Sequence, residues 1–221
     1  MFLSTLNPRI DATQKFAFRF LFSLFQIVSI LIMIHLLAKL IFSIAGWKIK
    51  GTIPKDIKRC IVLMAPHTSN WDFVLGFLGF SILRIKVHFL IKKESFNFPL
   101  GILVKAMGGV AVDRQHASNV VTSVSHEFHD KEKFVLIIAP EGTRSLNKHW
   151  KRGFYHISLL AKVPIVLGYL DYREKVAGLG DVIVPSGNYE SDLAKIEAFY
   201  MQKTARFSKN FNLSPINRKK T

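Results

Sequence analysis

His67 and Asp72, in the run Pro66-His67-Thr68-Ser69-Asn70-Trp71-Asp72, form the pair best suited to moving a proton in this sequence. A neutral imidazole accepts a proton near neutral pH. A carboxylate beside it fixes its tautomer and stabilises the imidazolium that forms. The run directly follows Cys60–Ala65, a continuous apolar stretch of strand length, so His67 is expected on a loop at the carboxyl end of a buried strand. Ser69 and Asp72 have the spacing of a capping box, which makes Ser69 the expected N-cap of the next helix. Such a turn folds the loop back on itself and can carry the carboxylate toward the imidazole. On a regular helix a five-residue separation would point the two side chains apart. Taken alone, His67 also reads as a polar loop residue and Asp72 as a cap.

Two further segments place polar groups at strand exits. Gly108-Gly109-Val110-Ala111-Val112-Asp113-Arg114 ends a short apolar run in an arginine, and Glu141-Gly142-Thr143-Arg144 follows the most strand-like run of the chain, Phe134–Ala139. Gly142 allows backbone to approach a ligand. Arg114 and Arg144 on loops at one end of a sheet suit a phosphate monoester, which a guanidinium binds through two hydrogen bonds. A single arginine would read as a solvated charge. Lys92, Lys93, Lys151 and Arg152 add positive potential, either to such a site or to the surface.

These loops need a frame. Trp47–Ile49, Cys60–Ala65, Val87–Ile91, Val110–Val112 and Phe134–Ala139 read as strands, and a further one begins at Pro164. Trp71–Leu83, a segment carrying Val120, Val124 and Phe128, Gly153–Ala161 and Asp192–Phe207 read as helices. Alternating elements of this kind imply an α/β fold, with a mixed, largely parallel sheet flanked by helices. Ligands in such sheets sit beside loops at the carboxyl ends of the strands.

The N-terminal region is different in kind. From Phe20 to Ala38 there is no Asp, Glu, Lys or Arg over 19 residues, although Gln26 and His35 interrupt the apolar character. About 20 apolar residues are needed to span a bilayer, so this segment is expected either to cross a membrane or to lie in one leaflet. Ser43-Ile44-Ala45 resembles a signal cleavage site, but the charged lead-in is long and the apolar part exceeds the usual limit of about 15 residues. Phe16, Phe18, Phe20, Phe22 and Phe25 are expected to face lipid. Lys39, Lys48, Lys50, Lys55, Lys58 and Arg59 after the segment outnumber Arg9, Lys15 and Arg19 before it, which favours the cytoplasmic face for the rest of the chain. The expected organisation is an anchoring helical segment over residues 1–46, a catalytic domain over 47–207 and a basic tail over 208–221.

The whole chain carries 31 Lys and Arg against 15 Asp and Glu, a net charge of +16, which suits an anionic membrane surface or nucleic acid. The apolar segment favours the membrane, and no basic recognition helix or aromatic RNA-binding motif is present. The single cysteine, Cys60, lies inside an expected strand and reads as an inert core thiol. The remaining histidines show no metal-ligand spacing, so neither a metal nor a cofactor is expected.

Four blocks in order, His67–Asp72, Gly108–Arg114, Pro140–Arg144 and Val163-Pro164-Ile165, resemble the signature blocks of the glycerolphospholipid acyltransferase family, of the 1-acyl-sn-glycerol-3-phosphate acyltransferase type. The resemblance spans about Trp47 to Phe207. Ala139 stands before Pro140 where the family often has Phe, a change expected to alter packing rather than chemistry. The resemblance implies that His67 takes a proton from an acceptor hydroxyl, which attacks an acyl thioester, and that Asp72 supports the imidazolium. It implies that Arg114, Glu141, Gly142, Thr143 and Arg144 bind the acceptor phosphate and shape the site, and that Pro164 and its neighbours line a substrate channel. It also implies lysophosphatidic acid as acceptor, acyl-coenzyme A or acyl carrier protein as donor, membrane lipids as surroundings, and an N-terminal segment held in one leaflet. Another lysolipid or an aminolipid acceptor, or a lipid-binding protein without catalysis, are the competing expectations.

Overall fold

A computed structural model describes residues 12–93, 100–112 and 117–213. Among these residues the helices are α1 (Ala12–Ala45), α2 (Asn70–Leu83), α3 (Leu100–Ala106), α4 (Ala117–Asp130), α5 (Gly153–Ala161) and α6 (Tyr189–Tyr200). The strands are β1 (Lys48–Lys50), β2 (Arg59–Met64), β3 (His88–Lys92), β4 (Gly109–Val112), β5 (Phe134–Ile138), β6 (Ile165–Asp171) and β7 (Val176–Ile183). They form one sheet in the order β1-β7-β6-β2-β5-β3-β4. Strands β2 to β6 run parallel, β7 is antiparallel to β6, and β1 is parallel to β7. The mixed, largely parallel sheet flanked by helices is the architecture expected from the alternating pattern.

The parallel strands carry continuous apolar runs because helices cover both faces. Cys60, Ile61, Val62 and Leu63 of β2 are fully buried, as are Ile165, Val166 and Leu167 of β6. Pleating sends Ile61 and Leu63 to one face, where they meet Phe128 of α4, Phe154 and Ile157 of α5 and Ile196 of α6. Cys60 and Val62 point to the other, against Phe80 of α2. Each such side chain removed from water contributes about 1.5–3 kcal/mol. Burial pushes the Cys60 thiol up to about 12, so it stays protonated and inert.

β7 escapes the sequence pattern because Gly178 and Gly180 interrupt it, and glycine is a poor strand former. Tertiary packing explains both. A Cβ at Gly178 would stand 2.5 Å from the Tyr169 ring, and one at Gly180 would stand 2.4 Å from the Phe199 ring. α6 is shorter than expected, ending at Tyr200 rather than Phe207. Beyond it the chain turns back toward β6, where Tyr172 donates its backbone N–H to the Thr204 carbonyl at 2.9 Å. The described part of the expected tail lies on the body of the protein, with Phe211 and Leu213 packed against the core and the Asn212 carbonyl accepting from Trp150 Nε1 at 3.1 Å.

α1 buries Ala38 and Phe42, and His35 Nδ1 lies 3.0 Å from the Ser81 carbonyl at the end of α2. Phe25, Ile32, Met33, Leu36, Leu37, Leu40 and Ile44 are exposed. Among the described residues no helix is long and apolar enough to cross a membrane.

Candidate active site

The chain leaves β2 at Met64 and forms the His67 loop without helical geometry until Asn70. Ser69 is the N-cap of α2 with extended backbone (φ −147°, ψ 154°), and its Oγ accepts from the Trp71 N–H at 3.2 Å. The expected capping box is therefore formed. Asp72 Oδ2 accepts from the Ser69 N–H at 2.8 Å and from the Thr68 N–H at 2.7 Å, which turns its carboxylate back over the loop. His67 Nδ1 stands 3.4 Å from the same oxygen. At 3.4 Å this is a long, weak hydrogen bond with room to tighten. With Nδ1 protonated toward the carboxylate, Nε2 is left to accept a proton.

Asp72 is 5 % exposed. Burial alone would push its carboxyl up. Hydrogen bonds from His67, from the Tyr172 hydroxyl and from the Ser69 and Thr68 backbone outweigh that and hold it below the ordinary carboxylate value. Its charge is thus maintained next to His67, which is partly exposed.

The second motif loop leaves β5 beside β2, since Leu63 is in register with Ile138. Gly142 has φ +64°, a left-handed conformation that favours glycine, and a Cβ there would meet Lys151 Cε at 2.8 Å. Glu141 turns inward and is 2 % exposed. Its Oε1 accepts the His67 backbone N–H at 2.9 Å, and among the described residues its buried Oε2 has no hydrogen-bond partner. Burial raises this carboxyl to about 7, so a proton resides on it over part of the neutral range. Glu141 therefore clamps the two loops together rather than facing a ligand. Asn147 Nδ2 donates to its carbonyl at 2.8 Å and closes the loop from the far side. The Tyr200 hydroxyl of α6 donates to the Leu63 carbonyl and lies 3.1 Å from that of Gly168, pinning α6 to the end of β2 and the middle of β6.

A cavity of about 1210 Å³ opens beside the two loops. His67, Asp72, Gly142, Thr143, Arg144 and Lys151 contribute to its lining. Phe73, Phe77 and Phe80 of α2 give it one apolar wall, and Phe154, Ile157 and Leu160 of α5 another. Thr143 and Arg144 are exposed. A space of this size, mostly apolar with a few polar groups in its lining, has room for a long apolar ligand with a polar head. Among the described residues no group of His, Cys, Asp and Glu has the arrangement of a metal site.

The structure thus brings together His67, Asp72, Glu141, Gly142, Thr143 and Arg144. Arg114 lies outside the described residues. Pro164 does not border the cavity: it precedes β6, and Ile165 is in register with Ile61 at the start of β2, the sheet end remote from His67. Its carbonyl accepts the Ile61 N–H at 3.0 Å, so the Val163-Pro164-Ile165 block has a structural role in seating β6 rather than lining a channel. Lys151, read from sequence only as nearby charge, borders the cavity against Gly142. Tyr172 belongs to no motif in the sequence. It stands 100 residues from Asp72, yet its hydroxyl donates to Asp72 Oδ1 at 2.6 Å. Its one sequence signal is its place just after a strand, at the sheet end that carries the other loops.

Among curated proteins none matches this chain. Among solved structures it is similar to the crystal structure of the 1-acyl-sn-glycerophosphate (LPA) acyltransferase PlsC from Thermotoga maritima, with a TM-score of 0.52 and 19 % sequence identity over 78 % of this chain and 77 % of that one. That likeness concerns the fold. The model of the Acyltransferase family matches residues 48–167, from β1 into β6, and so includes both motif loops. With more than half of its length matched and these loops meeting at one cavity, the chain belongs to the Acyltransferase family.

Proposed function

We propose that this protein transfers a fatty acyl group from acyl-coenzyme A or acyl carrier protein to the free hydroxyl of lysophosphatidic acid, giving phosphatidic acid. The observation that carries the proposal is the His67–Asp72 pair at one end of a large apolar cavity whose rim bears Arg144. His67 Nε2 takes the hydroxyl proton as the acceptor oxygen attacks the thioester carbonyl. The tetrahedral adduct collapses with loss of the thiolate, which recovers the proton from the imidazolium. Asp72 stabilises the charged ring throughout. No acyl-enzyme is required, in keeping with Cys60 being sealed in the core. Arg144 pairs with the acceptor phosphate, and the Phe-lined wall of α2 and the α5 wall receive the acyl chains. The lysophosphatidic acid assignment draws on the fold shared with PlsC and on the exposed guanidinium at the cavity.

The domain organisation follows from the same reading: residues 1–46 anchor the protein to a membrane, residues 47–207 carry the catalysis and 208–221 form a basic tail. The exposed apolar side chains of α1 would sit among acyl chains in the leaflet facing the cytoplasm, and the net charge of +16 would hold the protein to anionic headgroups.

The deciding experiment measures acyl transfer by the detergent-solubilised protein to lysophosphatidic acid and to neutral and zwitterionic lysolipids, with each donor, beside His67→Ala. Transfer to lysophosphatidic acid that disappears in the variant supports the whole proposal. Transfer only to another lysolipid moves the acceptor assignment. Absence of transfer to every acceptor refutes the catalytic reading in favour of lipid binding.

A further inference from the structure

Asp72 is held by residues that lie outside both motif loops and beyond the region the family model matches. Tyr172, the first residue after β6, donates its hydroxyl proton to Asp72 Oδ1 at 2.6 Å. The Arg206 guanidinium stands over the rings of Trp71 at 5.6 Å, Tyr172 at 5.9 Å and Phe207 at 5.6 Å, and its positive charge acts on the phenol. Two hydrogen bonds hold the stretch around Arg206 in place. Tyr172 N–H donates to the Thr204 carbonyl at 2.9 Å, and Phe207 N–H donates to the Thr68 side-chain Oγ1 of the His67 loop at 3.2 Å. Residues 204–207 therefore converge on the loop that carries the catalytic pair.

The chemistry of these groups gives the arrangement a direction. Guanidinium has donors and no acceptor, so Arg206 cannot compete for the phenolic proton, and the cation beside the ring favours the oxygen's negative end. The single phenolic proton is committed to Asp72. On the carboxylate, Oδ1 is taken by Tyr172 and Oδ2 by the Thr68 and Ser69 N–H groups, the oxygen that also faces His67 Nδ1. The terminal torsion of aspartate is soft. With Oδ1 released, the carboxylate is held through Oδ2 alone and can tilt about that anchor, loosening its alignment with the imidazole.

We propose that Tyr172 and Arg206 are positioning residues for proton transfer at His67, with Arg206 orienting the phenol and the phenol locking the Asp72 carboxylate in the plane that meets the imidazole. This rests on the general-base reading of His67. The charged and titratable groups around Asp72 are His67, Tyr172, Arg206 and, beneath the loop, Glu141.

The test compares Tyr172→Phe, Arg206→Ala, Arg206→Lys and His67→Ala with the unaltered protein in detergent micelles. The probes are 1-oleoyl-lysophosphatidic acid and oleoyl-coenzyme A, and the imidazole ¹⁵N resonances of His67 are recorded in parallel without substrate. Loss of one hydrogen bond to a charged group lowers kcat about tenfold to a hundredfold. Tyr172→Phe is expected to show that loss with KM for both substrates unchanged. The acid limb of its pH profile should move upward, because Asp72 has lost a partner that favours its charged form. Arg206→Ala should give a smaller loss in the same direction, Arg206→Lys should recover part of it, and both Tyr172→Phe and Arg206→Ala should shift the His67 resonances. Wild-type kcat and resonances in Tyr172→Phe and Arg206→Ala beside an inactive His67→Ala would overturn the positioning role and leave the general base standing. An active His67→Ala would overturn both. Arg206 is exposed, so its variants decide the matter should Tyr172→Phe fail to fold. Should the unaltered protein transfer nothing between these probes, unmoved His67 resonances in the variants would by themselves overturn the proposal, and shifted ones would support it.

Discussion

Two loops meet at the cavity, and they are held very differently. In the His67 loop, Asp72 accepts hydrogen bonds from Thr68, Ser69 and Tyr172, Thr68 accepts from Phe207, and the His67 backbone donates to Glu141. The Glu141–Arg144 loop is held mainly at its base, by Glu141, by Asn147 and by the Gly142 N–H to the Ala139 carbonyl; Thr143 Oγ1 accepts only the nearby Ser145 N–H, and Thr143 and Arg144 are exposed at the cavity. The first loop fixes two groups that must meet within a hydrogen-bond length, a geometry that tolerates little error. The second presents a long cation that can follow the position of an anionic head. On the proposed mechanism, chemistry falls to the overdetermined loop and capture to the adaptable one.

The sharpest way to break this contrast is to remove the base. His67→Ala should lower kcat by about 10²- to 10⁴-fold, the usual share of general-base catalysis, with the thermal midpoint unchanged because the ring is partly exposed. Asp72→Asn should lower kcat while also destabilising the protein by about 1–3 kcal/mol, since the buried acceptor site is disrupted. A thermal melt beside the rate measurement separates the two, and equal melting of both variants would dissolve the distinction between a reacting group and a clamp.

A second measurement probes the clamp beneath the loops. Burial raises Glu141 from 4.5 to about 7. The folded protein keeps that proton over a range in which the unfolded chain has lost it. Its contribution to stability is complete below about pH 4.5 and falls as pH rises toward 7, by an amount on the order of 3 kcal/mol. Asp72 has the opposite sign: its depressed value favours the folded state above the ordinary carboxylate range, and that advantage disappears on acidification below it. Denaturant unfolding between pH 4.5 and 7.5 should show the decline for Glu141, and Glu141→Gln should flatten it. An unflattened curve would place the titrating group elsewhere.

Smaller effects are expected from the open loop. Arg144→Ala should raise KM for a phosphorylated acceptor about tenfold, leave kcat nearly unchanged and leave neutral acceptors unaffected. A fall in kcat instead would mean that this side chain acts on the reacting atoms and that the two loops share the chemistry. Gly142→Ala should cost about 1–2 kcal/mol in an unfolding titration, because φ +64° is unfavourable for a side chain and the new Cβ must displace Lys151. No loss of stability there would mean that the open loop relaxes freely.

What the amino-acid sequence by itself determined is local. Apolar runs such as Cys60–Ala65 and Phe134–Ala139 mark buried strands because water exclusion acts on every residue of the run, and Ser69 with Asp72 marks a helix start because a capping box is made within four residues. His67, Asp72, Gly142 and Arg144 were legible for the same reason: each lies just past such a strand, so motif and element announce one another. The tertiary structure alone decided what depends on distant packing. β7 could not be read through Gly178 and Gly180, whose value lies in the space they leave for Tyr169 and Phe199. The Pro164 block gave no sign from its own residues that it would seat β6 far from the cavity. Glu141, which reads like a ligand in its motif, turned inward to hold the His67 backbone. Tyr172 and Arg206 carry no motif at all. They reach the catalytic pair because β6 lies beside β2 in the sheet and the chain after α6 returns across their ends, and no periodicity along a sequence encodes which strands become neighbours.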